Sequence, residues 1–193
     1  MAARRPGDSG QLRVIGGEWR GRKLRFPSAR GLRPTPDRLR ETLFNWLAPV
    51  VHGRRCLDAY AGSGALGLEA LSRGAQWVDF IDDNPRCTAQ LLAHLDALQC
   101  ESASVRRKDT VKWLTANRPP TPYDLVFLDP PYNAALYQPS AMALEQGWLA
   151  PDAWIYVESS AQDTAPVLPA NWLTYREKTM GDVVARLYQR SKP

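Results

Sequence analysis

Short apolar runs alternate along most of the chain with segments in which apolar residues recur every three or four positions. The runs predict buried strands, which end at Leu57 or cover 77–81, 104–106, Tyr123–Leu128, 153–158, 172–178 and 183–189. The periodic segments predict helices, with apolar positions within 39–47, 66–71, 91–98, 111–114 and 138–147. Strands that alternate with helices and end in a final strand pair are typical of an α/β fold. We therefore expect a seven-stranded, doubly wound sheet closed by an antiparallel hairpin.

A further β-hairpin is predicted at residues 12–26, ahead of the first strand of the sheet. Val14 and Ile15 lie in its first strand, residues 16–17 (Gly-Gly) supply the turn, and the second strand ends near Phe26. The hairpin is either a surface for a partner or a lid packed on the core, and the two are compatible.

The chain divides into three parts on composition. Residues 1–11 resemble a disordered basic tail, 12–36 form a hairpin-and-loop extension rich in proline and glycine, and 37–193 form the main domain. At the start of this domain, Thr35 is the predicted N-cap of a helix and Pro36 its first residue.

Positive charge is concentrated at the start of the chain. The formal net charge is +5, but residues 1–40 carry eleven Arg or Lys against three acids, whereas the remainder carries fourteen against seventeen. Arginines interleaved with an indole and glycines suit phosphate contact and base stacking, so a polyanionic partner is favoured over a solvated tail. The candidate nucleic-acid-binding residues are Trp19, Arg20, Arg22, Lys23, Arg33 and Arg38. Arg38 and Arg40 are equally compatible with solvated positions on a helix.

A glycine motif follows the strand that ends at Leu57. The strand leads into Asp58 and then into Gly62-Ser63-Gly64-Ala-Leu-Gly67, at which a helix begins. Strand, glycine turn and helix is the context in which such a motif indicates binding of a nucleotide-like ligand in a Rossmann-like fold. The alternative is a tight turn with no ligand.

Two acids indicate which ligand this is. Asp58 lies at the strand end, where a carboxylate disfavours the phosphates of a dinucleotide and favours a cation. Asp82 ends the next strand and suits a ribose diol. S-adenosylmethionine carries a sulfonium and an ammonium but no phosphate, so it is preferred over NAD. Asp109 ends a third strand, where it either caps the following helix or contacts an adenine amino group.

The sequence Asp129-Pro130-Pro131-Tyr132 follows the predicted buried strand Tyr123–Leu128. The prolines make a rigid turn and leave carbonyl groups without competing N–H groups. The Asp129 carboxylate and the Pro130 carbonyl can accept the two N–H groups of an exocyclic amine on a nucleobase, while Tyr132 stacks on a base that has left its stack. Asp129 can then take the proton as a general base, and no cysteine nucleophile is required. The alternative is a turn that only ends the strand.

The sequence gives little support for a metal site, for disulfide bonds or for a membrane partner. Cys56, Cys87 and Cys100 are odd in number and lack metal-ligand spacing, which favours reduced thiols in a cytoplasmic protein and no metal site. No secretory signal and no apolar stretch long enough to span a membrane is present, so no membrane partner is expected.

Nearly the whole chain resembles the bacterial 16S ribosomal RNA guanine-N2 methyltransferases of the RsmD family, within the class I S-adenosylmethionine-dependent methyltransferases. Besides DPPY at 129–132, the most specific stretches are RVIGGEWRGRKL (13–24), LRPTPDRLRETLFNWL (32–47), AGSGALGLEAL (61–71) and PANW (169–172). The resemblance implies S-adenosylmethionine as cofactor and N2 of guanine 966 in the assembled small (30S) subunit as target. It also implies the cofactor-binding residues, which are Asp58, Tyr60, Gly62, Ser63, Gly64, Gly67, Asp82, Asp83 and Asp109. Family members often have Glu at the position of Asp82, so the resemblance leaves open whether Asp82 or Asp83 holds the ribose. They often have Phe at the position of Tyr132, which implies that the Tyr132 hydroxyl is dispensable.

Four alternatives are considered. DNA adenine-N6 methyltransferases share Asp-Pro-Pro-Tyr but usually carry a larger target-recognition domain, and glutamine methyltransferases usually have Asn at the position of Asp129. A non-catalytic RNA-binding assembly factor would explain the basic hairpin but not two intact pockets. An NAD oxidoreductase is disfavoured by Asp58.

We expect the protein to be a monomer.

Overall fold

The computed structural model describes residues 10–26, 36–131 and 135–191. An antiparallel hairpin of β1 (Gly10–Arg13) and β2 (Lys23–Phe26) precedes a single large sheet. The elements that follow are α1 (Asp37–Leu47), β3 (Arg55–Asp58), α2 (Ala65–Ser72), β4 (Trp77–Asp82), α3 (Pro85–Ala97), β5 (Ala103–Arg107), α4 (Thr110–Ala116), β6 (Tyr123–Leu128), α5 (Tyr137–Leu144), β7 (Leu149–Ser160), β8 (Trp172–Met180) and β9 (Val183–Arg190).

The large sheet has seven strands in the order β5-β4-β3-β6-β7-β9-β8. The first five strands are parallel, and β9 runs antiparallel to both β7 and β8. The chain starts at β3 in the centre, moves outward to β5 and then returns to β6 on the other side of β3. Ligands of open α/β sheets bind beyond the carboxyl ends of strands at such a reversal. The predicted fold class and the predicted closing hairpin are confirmed.

Both faces of the sheet are covered, which explains why its central strands are continuous apolar runs. Cys56, Phe80 and Phe127 face a core that also contains α1 and the N-terminal hairpin. Leu57 and Val126, next to them in sequence, face the core formed with α4 and α5. Adjacent residues of a strand point to opposite faces, so each strand contributes to both cores.

The N-terminal hairpin exists, but its predicted turn is wrong. The first strand ends at Arg13, ahead of Val14 and Ile15, and the chain reverses at 19–22, where the Arg22 N–H donates to the Trp19 carbonyl at 3.0 Å. Gly21 supplies the positive φ of +84° that this reversal requires. The Gly-Gly pair at 16–17 instead lies against the end of α2.

Helix α1 begins at Asp37, with Pro36 in the N-cap position and no side-chain cap bond, so Pro36 precedes the helix rather than starting it. Thr35 lies outside the described residues, as do Arg33, Tyr132 and most of the 1–11 segment. Arg40, which the sequence allowed as a solvated position, is completely buried, whereas Arg38 is exposed.

Asn84 caps α3, since its side chain accepts the Arg86 N–H at 2.9 Å, as expected. Strand β7 is longer than predicted, and α5 ends at Leu144 rather than near 147. Within the described ranges, no helix combines the length and the apolar character needed to cross a membrane. The described residues also contain no group of three or more His, Cys, Asp or Glu side chains arranged to hold a metal ion.

Candidate functional site

The glycine turn between β3 and α2 requires its glycines. Gly62 and Gly64 have φ of +52° and +77°, which L side chains rarely adopt. A Cβ on Gly64 would lie 2.2 Å from a methyl carbon of Leu91. A Cβ on Gly67, one helical turn on, would lie 2.2 Å from the Phe80 ring and 3.0 Å from the Asp58 carboxylate. The turn therefore brings bare backbone close to the end of β3.

Asp58 is buried at the end of β3, and its Oδ2 accepts the Gly67 N–H at 2.9 Å. The pKa of Asp58 is raised to about 7, because burial and, to a smaller extent, the nearby Asp82 charge outweigh the hydrogen bond from Gly67, which lowers it. Asp58 is thus a carboxyl that gains its charge near neutral pH. An approaching cation would favour the charged form.

Asp82 faces the glycine turn from the end of β4. Its Oδ2 accepts the Gly62 N–H at 2.7 Å and its Oδ1 accepts the Asn84 N–H at 2.8 Å. Burial raises the pKa of Asp82, and the two backbone donors counteract this rise. Asp83 is exposed. Of the two acids between which the sequence did not choose, Asp82 is the one that lies against the turn.

Three further candidates lie beside these acids at the carboxyl edge of the sheet. Asp109, with 51% of its side chain exposed, caps α4 by accepting the Lys112 N–H at 3.0 Å. The Tyr60 hydroxyl lies 2.7 Å from the Ser140 hydroxyl on α5, and Ser63 is buried within the turn. The capping interpretation of Asp109 is confirmed, while an adenine contact stays a prediction.

Asp129 follows β6, the strand that pairs with β3, so it lies beside Asp58 at the sheet edge. Burial raises the pKa of Asp129 well above that of an ordinary carboxyl, and the negative charges of Glu158 and Asp58 raise it further. Pro130 is buried and Pro131 is exposed, whereas Tyr132 lies outside the described residues. The sheet thus brings the glycine turn and the proline turn together.

Glu158 is a part of this site that the sequence reasoning missed. It lies on β7, one residue beyond the Leu128–Val157 pair, and is therefore level with Asp129. Glu158 is buried, and its Oε2 accepts the Tyr156 hydroxyl at 2.9 Å. The sequence signal that could have identified Glu158 is an acid at the carboxyl end of an apolar strand.

Glu69 on α2 is a second residue that the sequence reasoning missed. Its side chain is fully buried, and its two oxygens accept the Ile15 and Gly16 N–H groups, each at 2.8 Å. Arg73 Nε donates to Oε1 at 2.8 Å, and a guanidinium nitrogen of Arg40 lies 3.6 Å from Oε2. The signal was a single acid within an otherwise apolar helix.

Ser72 completes the attachment of the hairpin to α2. Its hydroxyl donates to the Gly16 carbonyl at 2.6 Å and accepts the Trp19 N–H at 2.9 Å, while its carbonyl accepts the Glu18 N–H at 2.7 Å. A Cβ on Gly17 would lie 1.8 Å from the Ser72 carbonyl oxygen. This close contact is why a glycine pair occupies a position that is not the turn.

The hairpin carries several exposed cations. They are Arg13, Arg20, Arg22, Lys23 and Arg25. Trp19 is half-buried and packs against the core, which agrees with the interpretation of the hairpin as an anchored lid. Arg40 has a structural position, because it donates to Asp37 at 2.6 Å and to the Arg13 carbonyl at 2.9 Å. Arg38 is exposed, and nucleic-acid binding by any of these residues stays a prediction.

Comparisons with known proteins extend over nearly the whole chain. The model of the family described as "Conserved hypothetical protein 95" matches residues 12–189. The ribosomal RNA small subunit methyltransferase D of Escherichia coli (strain K12) is 50% identical over 183 residues, which cover 94% of this chain and 91% of that protein. The methyltransferase D of Haemophilus influenzae is 45% identical over 187 residues, covering 95% and 96%.

Solved structures agree with these matches. The Escherichia coli protein yhhF superimposes with a TM-score of 0.86 at 49% identity, over 95% of this chain and all of that chain. A Thermus thermophilus 16S rRNA N2 G1207 methyltransferase, solved with AdoMet and guanosine, has a TM-score of 0.67 at 22% identity, over 96% of this chain and 50% of that one. The second likeness concerns the fold alone, which is that of class I methyltransferases.

Proposed function

The chain belongs to the conserved hypothetical protein 95 family, the family of the ribosomal RNA small subunit methyltransferases D, and we propose that it methylates N2 of a guanine in 16S ribosomal RNA. The methyl donor is S-adenosylmethionine. The target is guanine 966 in the assembled 30S subunit, reached by a monomeric enzyme in the cytoplasm. The observation that carries this proposal is the pairing of β3 with β6, which sets the acid-led glycine turn beside Asp129-Pro130-Pro131.

The residues at the glycine turn fit this cofactor. S-adenosylmethionine supplies, when bound, a methyl group made electrophilic by its sulfonium. Asp58 offers a carboxylate to its cationic end, and Asp82, already oriented by Gly62 and Asn84, offers oxygens to the ribose hydroxyls. Asp109 would contact the adenine amino group. Carboxylates at the ends of three neighbouring strands suit a cation and a diol better than a diphosphate.

The proline turn acts on the guanine. The Asp129 carboxylate and the Pro130 carbonyl accept the two N–H groups of the exocyclic amine, which orients a nitrogen whose lone pair is otherwise delocalised into the ring. Orientation of this kind is the main source of rate in a direct transfer. The raised pKa of Asp129 makes it a stronger base than a surface carboxylate, suited to taking the proton that the nitrogen loses. Tyr132 stacks on the flipped base.

The hairpin holds the RNA. Its exposed arginines and lysine contact phosphates, which position the substrate without reading sequence. Because Glu69 and Ser72 attach this hairpin to the helix that begins at the glycine turn, the RNA-binding surface and the cofactor pocket form one unit. Arg38, exposed on α1, adds to this surface, and Arg33, which lies outside the described residues, is proposed to bind the RNA as well.

The experiment that tests this function is methyl transfer from labelled S-adenosylmethionine. The acceptors are small subunits lacking the modification, protein-free 16S RNA and duplex DNA, and the modified nucleoside is identified after digestion. N2-methylguanosine from the subunits, at guanine 966, is the expected product.

Other products would lead to other conclusions. N6-methyladenine from DNA would keep the chemistry of the proline turn but overturn the substrate. Binding to subunits without measurable affinity for S-adenosylmethionine would overturn the enzymatic function and leave a non-catalytic assembly factor.

A further inference from the structure

A recess lies at the amino-terminal edge of the sheet, opposite the candidate active site. Its volume is about 450 Å³, and the first residues of three parallel strands line it, namely Arg55, Trp77 and Tyr123. The cofactor and proline turns follow the carboxyl ends of the same strands. The recess is therefore separated from these turns by the length of the strands, and none of the candidate catalytic or cofactor-binding residues lines it.

The recess is positively charged. Three arginines line it, Arg55, Arg106 and Arg118, against a single acid, Asp79. The side chain of Arg106 is 49% exposed, and Arg118 is exposed at the rim. Two positive charges therefore remain after Asp79 is counted, in a concave site with apolar walls, where an anion experiences a stronger field than on an open surface.

Asp79 does not use up the hydrogen-bonding capacity of these arginines. It is buried, and its carboxylate accepts the Tyr123 hydroxyl at 2.6 Å and the Ser104 hydroxyl. The nearest guanidinium nitrogens of Arg55 and Arg106 are each 3.8 Å away, which is beyond hydrogen-bonding distance. Arg55 and Arg106 thus balance the charge of Asp79 without hydrogen bonding to it, whereas Arg118 already donates through Nη1 to the Leu114 and Asn117 carbonyls at 3.1 and 2.5 Å.

Aromatic rings form the apolar part of the recess. Trp77 and Trp113 are half-buried, so part of each ring is accessible. Trp113 packs on the buried Trp148 with 4.6 Å between ring centroids, which fixes its orientation. The Arg106 guanidinium carbon lies over the Trp113 ring, 5.7 Å from its centroid, so Trp113 holds the cation in place while Trp77 is the indole left for a ligand.

We propose that this recess binds one ribonucleotide unit, with its base stacked on Trp77 and its phosphate paired with Arg106 and Arg118. The volume lies within the range of small-ligand sites. Guanidinium groups suit bidentate contact with phosphate, and indoles suit stacking with any base. The unit is supplied either by a free nucleotide or by an unpaired nucleotide of an RNA. This site lies outside the methyl-transfer function, since it needs neither the cofactor nor a methyl acceptor.

The test measures binding of guanosine monophosphate and of a short single-stranded oligoribonucleotide by calorimetry, with the full chain and without S-adenosylmethionine. The variant is Arg106→Gln, which removes one charge from the recess. The matched control is Arg107→Gln, because Arg107 is the exposed neighbour on β5, points to the other face and does not line the recess. We expect affinity to be about tenfold weaker in Arg106→Gln and unchanged in the control.

Each outcome decides the proposal. If Arg106→Gln weakens the binding of guanosine monophosphate but not that of the oligoribonucleotide, the result would support a free nucleotide as ligand. If it weakens only the binding of the oligoribonucleotide, the result would support an RNA. Absence of binding by the wild-type protein, or equal effects of the two substitutions, would overturn the site. Saturating S-adenosylmethionine should leave the affinity for guanosine monophosphate and for the oligoribonucleotide unchanged. Competition between S-adenosylmethionine and either ligand would place the nucleotide in the candidate active site instead. A failed methyl-transfer assay would not affect any of these results.

Discussion

The Glu69 carboxylate accepts the backbone N–H of Gly16 at 2.8 Å, across 53 positions of the chain. The other oxygen of the same carboxylate accepts the N–H of Ile15, also at 2.8 Å. Glu69 lies on α2, which starts at the glycine turn, whereas residues 15 and 16 lead into the basic tip of the hairpin. Together with Ser72, this buried side chain therefore holds the proposed RNA-binding surface in position relative to the proposed cofactor pocket.

Glu69→Gln should destabilise the protein and loosen the hairpin. The amide keeps one acceptor but turns an N–H group toward a backbone donor, leaves the partly buried Arg73 without its anion and leaves the buried Arg40 with Asp37 alone. Removing one partner from a buried ion pair costs about 3 kcal/mol in the free energy of unfolding. Chemical denaturation measures this loss, and filter binding of small subunits should weaken more than binding of S-adenosylmethionine.

Glu101→Gln is the matched control, because Glu101 is exposed and precedes β5. Its free energy of unfolding should stay within about 0.5 kcal/mol of wild type. A Glu69→Gln protein with wild-type stability and wild-type affinity for subunits would show that the attachment is not needed.

Asp129→Asn should reduce kcat for methyl transfer by at least about a hundredfold while the Kd for S-adenosylmethionine stays within about twofold. The amide retains the shape of the side chain but cannot take a proton, and its NH₂ group opposes an incoming amine. Single-turnover transfer and calorimetry separate the two quantities. Asp163→Asn, at an exposed position after β7, is the control. Full transfer activity in Asp129→Asn would remove Asp129 from the reaction.

The affinity for S-adenosylmethionine should rise with pH up to about 7 and then level off. The pKa of Asp58 in the free protein is about 7, and a cationic ligand binds the charged carboxylate, so binding must release a proton at lower pH. In the limit, affinity changes about tenfold per pH unit below this pKa. Calorimetry in buffers of different ionisation enthalpy counts the protons released. Asp58→Asn should bind weakly and without this slope; an unchanged slope would assign the proton to another group.

The same shift in pKa has a consequence for stability. Because the folded-state pKa of Asp58 is raised above that of an ordinary carboxyl, folding favours the protonated acid. Its contribution to the free energy of unfolding is therefore fully present below about pH 4 and is lost as the pH rises to about 7. Without cofactor, Asp58→Asn should lose less stability than wild type over this interval in urea denaturation. An identical pH dependence in the two proteins would contradict the shifted pKa.

Glu158→Gln should move the pH–rate profile of methyl transfer to lower pH. Transfer requires the ionised form of Asp129, so the rate rises with pH through the pKa of Asp129. The Glu158 charge raises that pKa, and removing the charge lowers it. The glutamine carbonyl can still accept the Tyr156 hydroxyl, so the fold should be retained. Glu101→Gln should leave the profile in place, and a shift to higher pH in Glu158→Gln would reverse the assigned electrostatics.

Arg22→Gln should weaken the binding of small subunits. The slope of log K against log salt concentration should also become shallower by about one, as expected for the loss of one phosphate contact. Arg22 is exposed, and its hydrogen bonds to Val14 and Trp19 are made by its backbone, so stability should be unaffected by the substitution. Arg176→Gln, an exposed arginine on the edge strand β8, is the control for net charge. Equal salt slopes for all three proteins would exclude Arg22 as a phosphate contact.

Local patterns were sufficient where a structural feature depends on neighbouring residues. The Asn84 cap followed from Asn-Pro before an apolar helix, because the capping acceptor and its donor are two residues apart. Asp58 and Asp82 were assigned to strand ends because each lies at the end of a short apolar run of the sequence. The same reasoning placed Asp129 at the end of β6.

Local sequence patterns gave wrong predictions where contacts between distant segments of the chain determine the structure. Gly-Gly is a good turn signal, but residues 16 and 17 are held on Ser72 and Glu69, and the reversal moved to 19–22. Arg40 has the spacing of an exposed helical position. It is nevertheless buried, since it bonds Asp37 on its own helix and the Arg13 carbonyl 27 residues away.

The sequence by itself determined the order of strands and helices, the glycine turn, and the acids at strand ends, since each depends on hydrophobic periodicity or on contacts within a few residues. Only the tertiary structure decided which of these residues act on one another. Parallel pairing of β6 with β3 and β7 brings Asp129 between Asp58 and Glu158, and that proximity in a buried site raises its pKa. The strength of a carboxyl as a base depends on the distance to other charges and on burial, and neither is encoded in the spacing of residues along the chain.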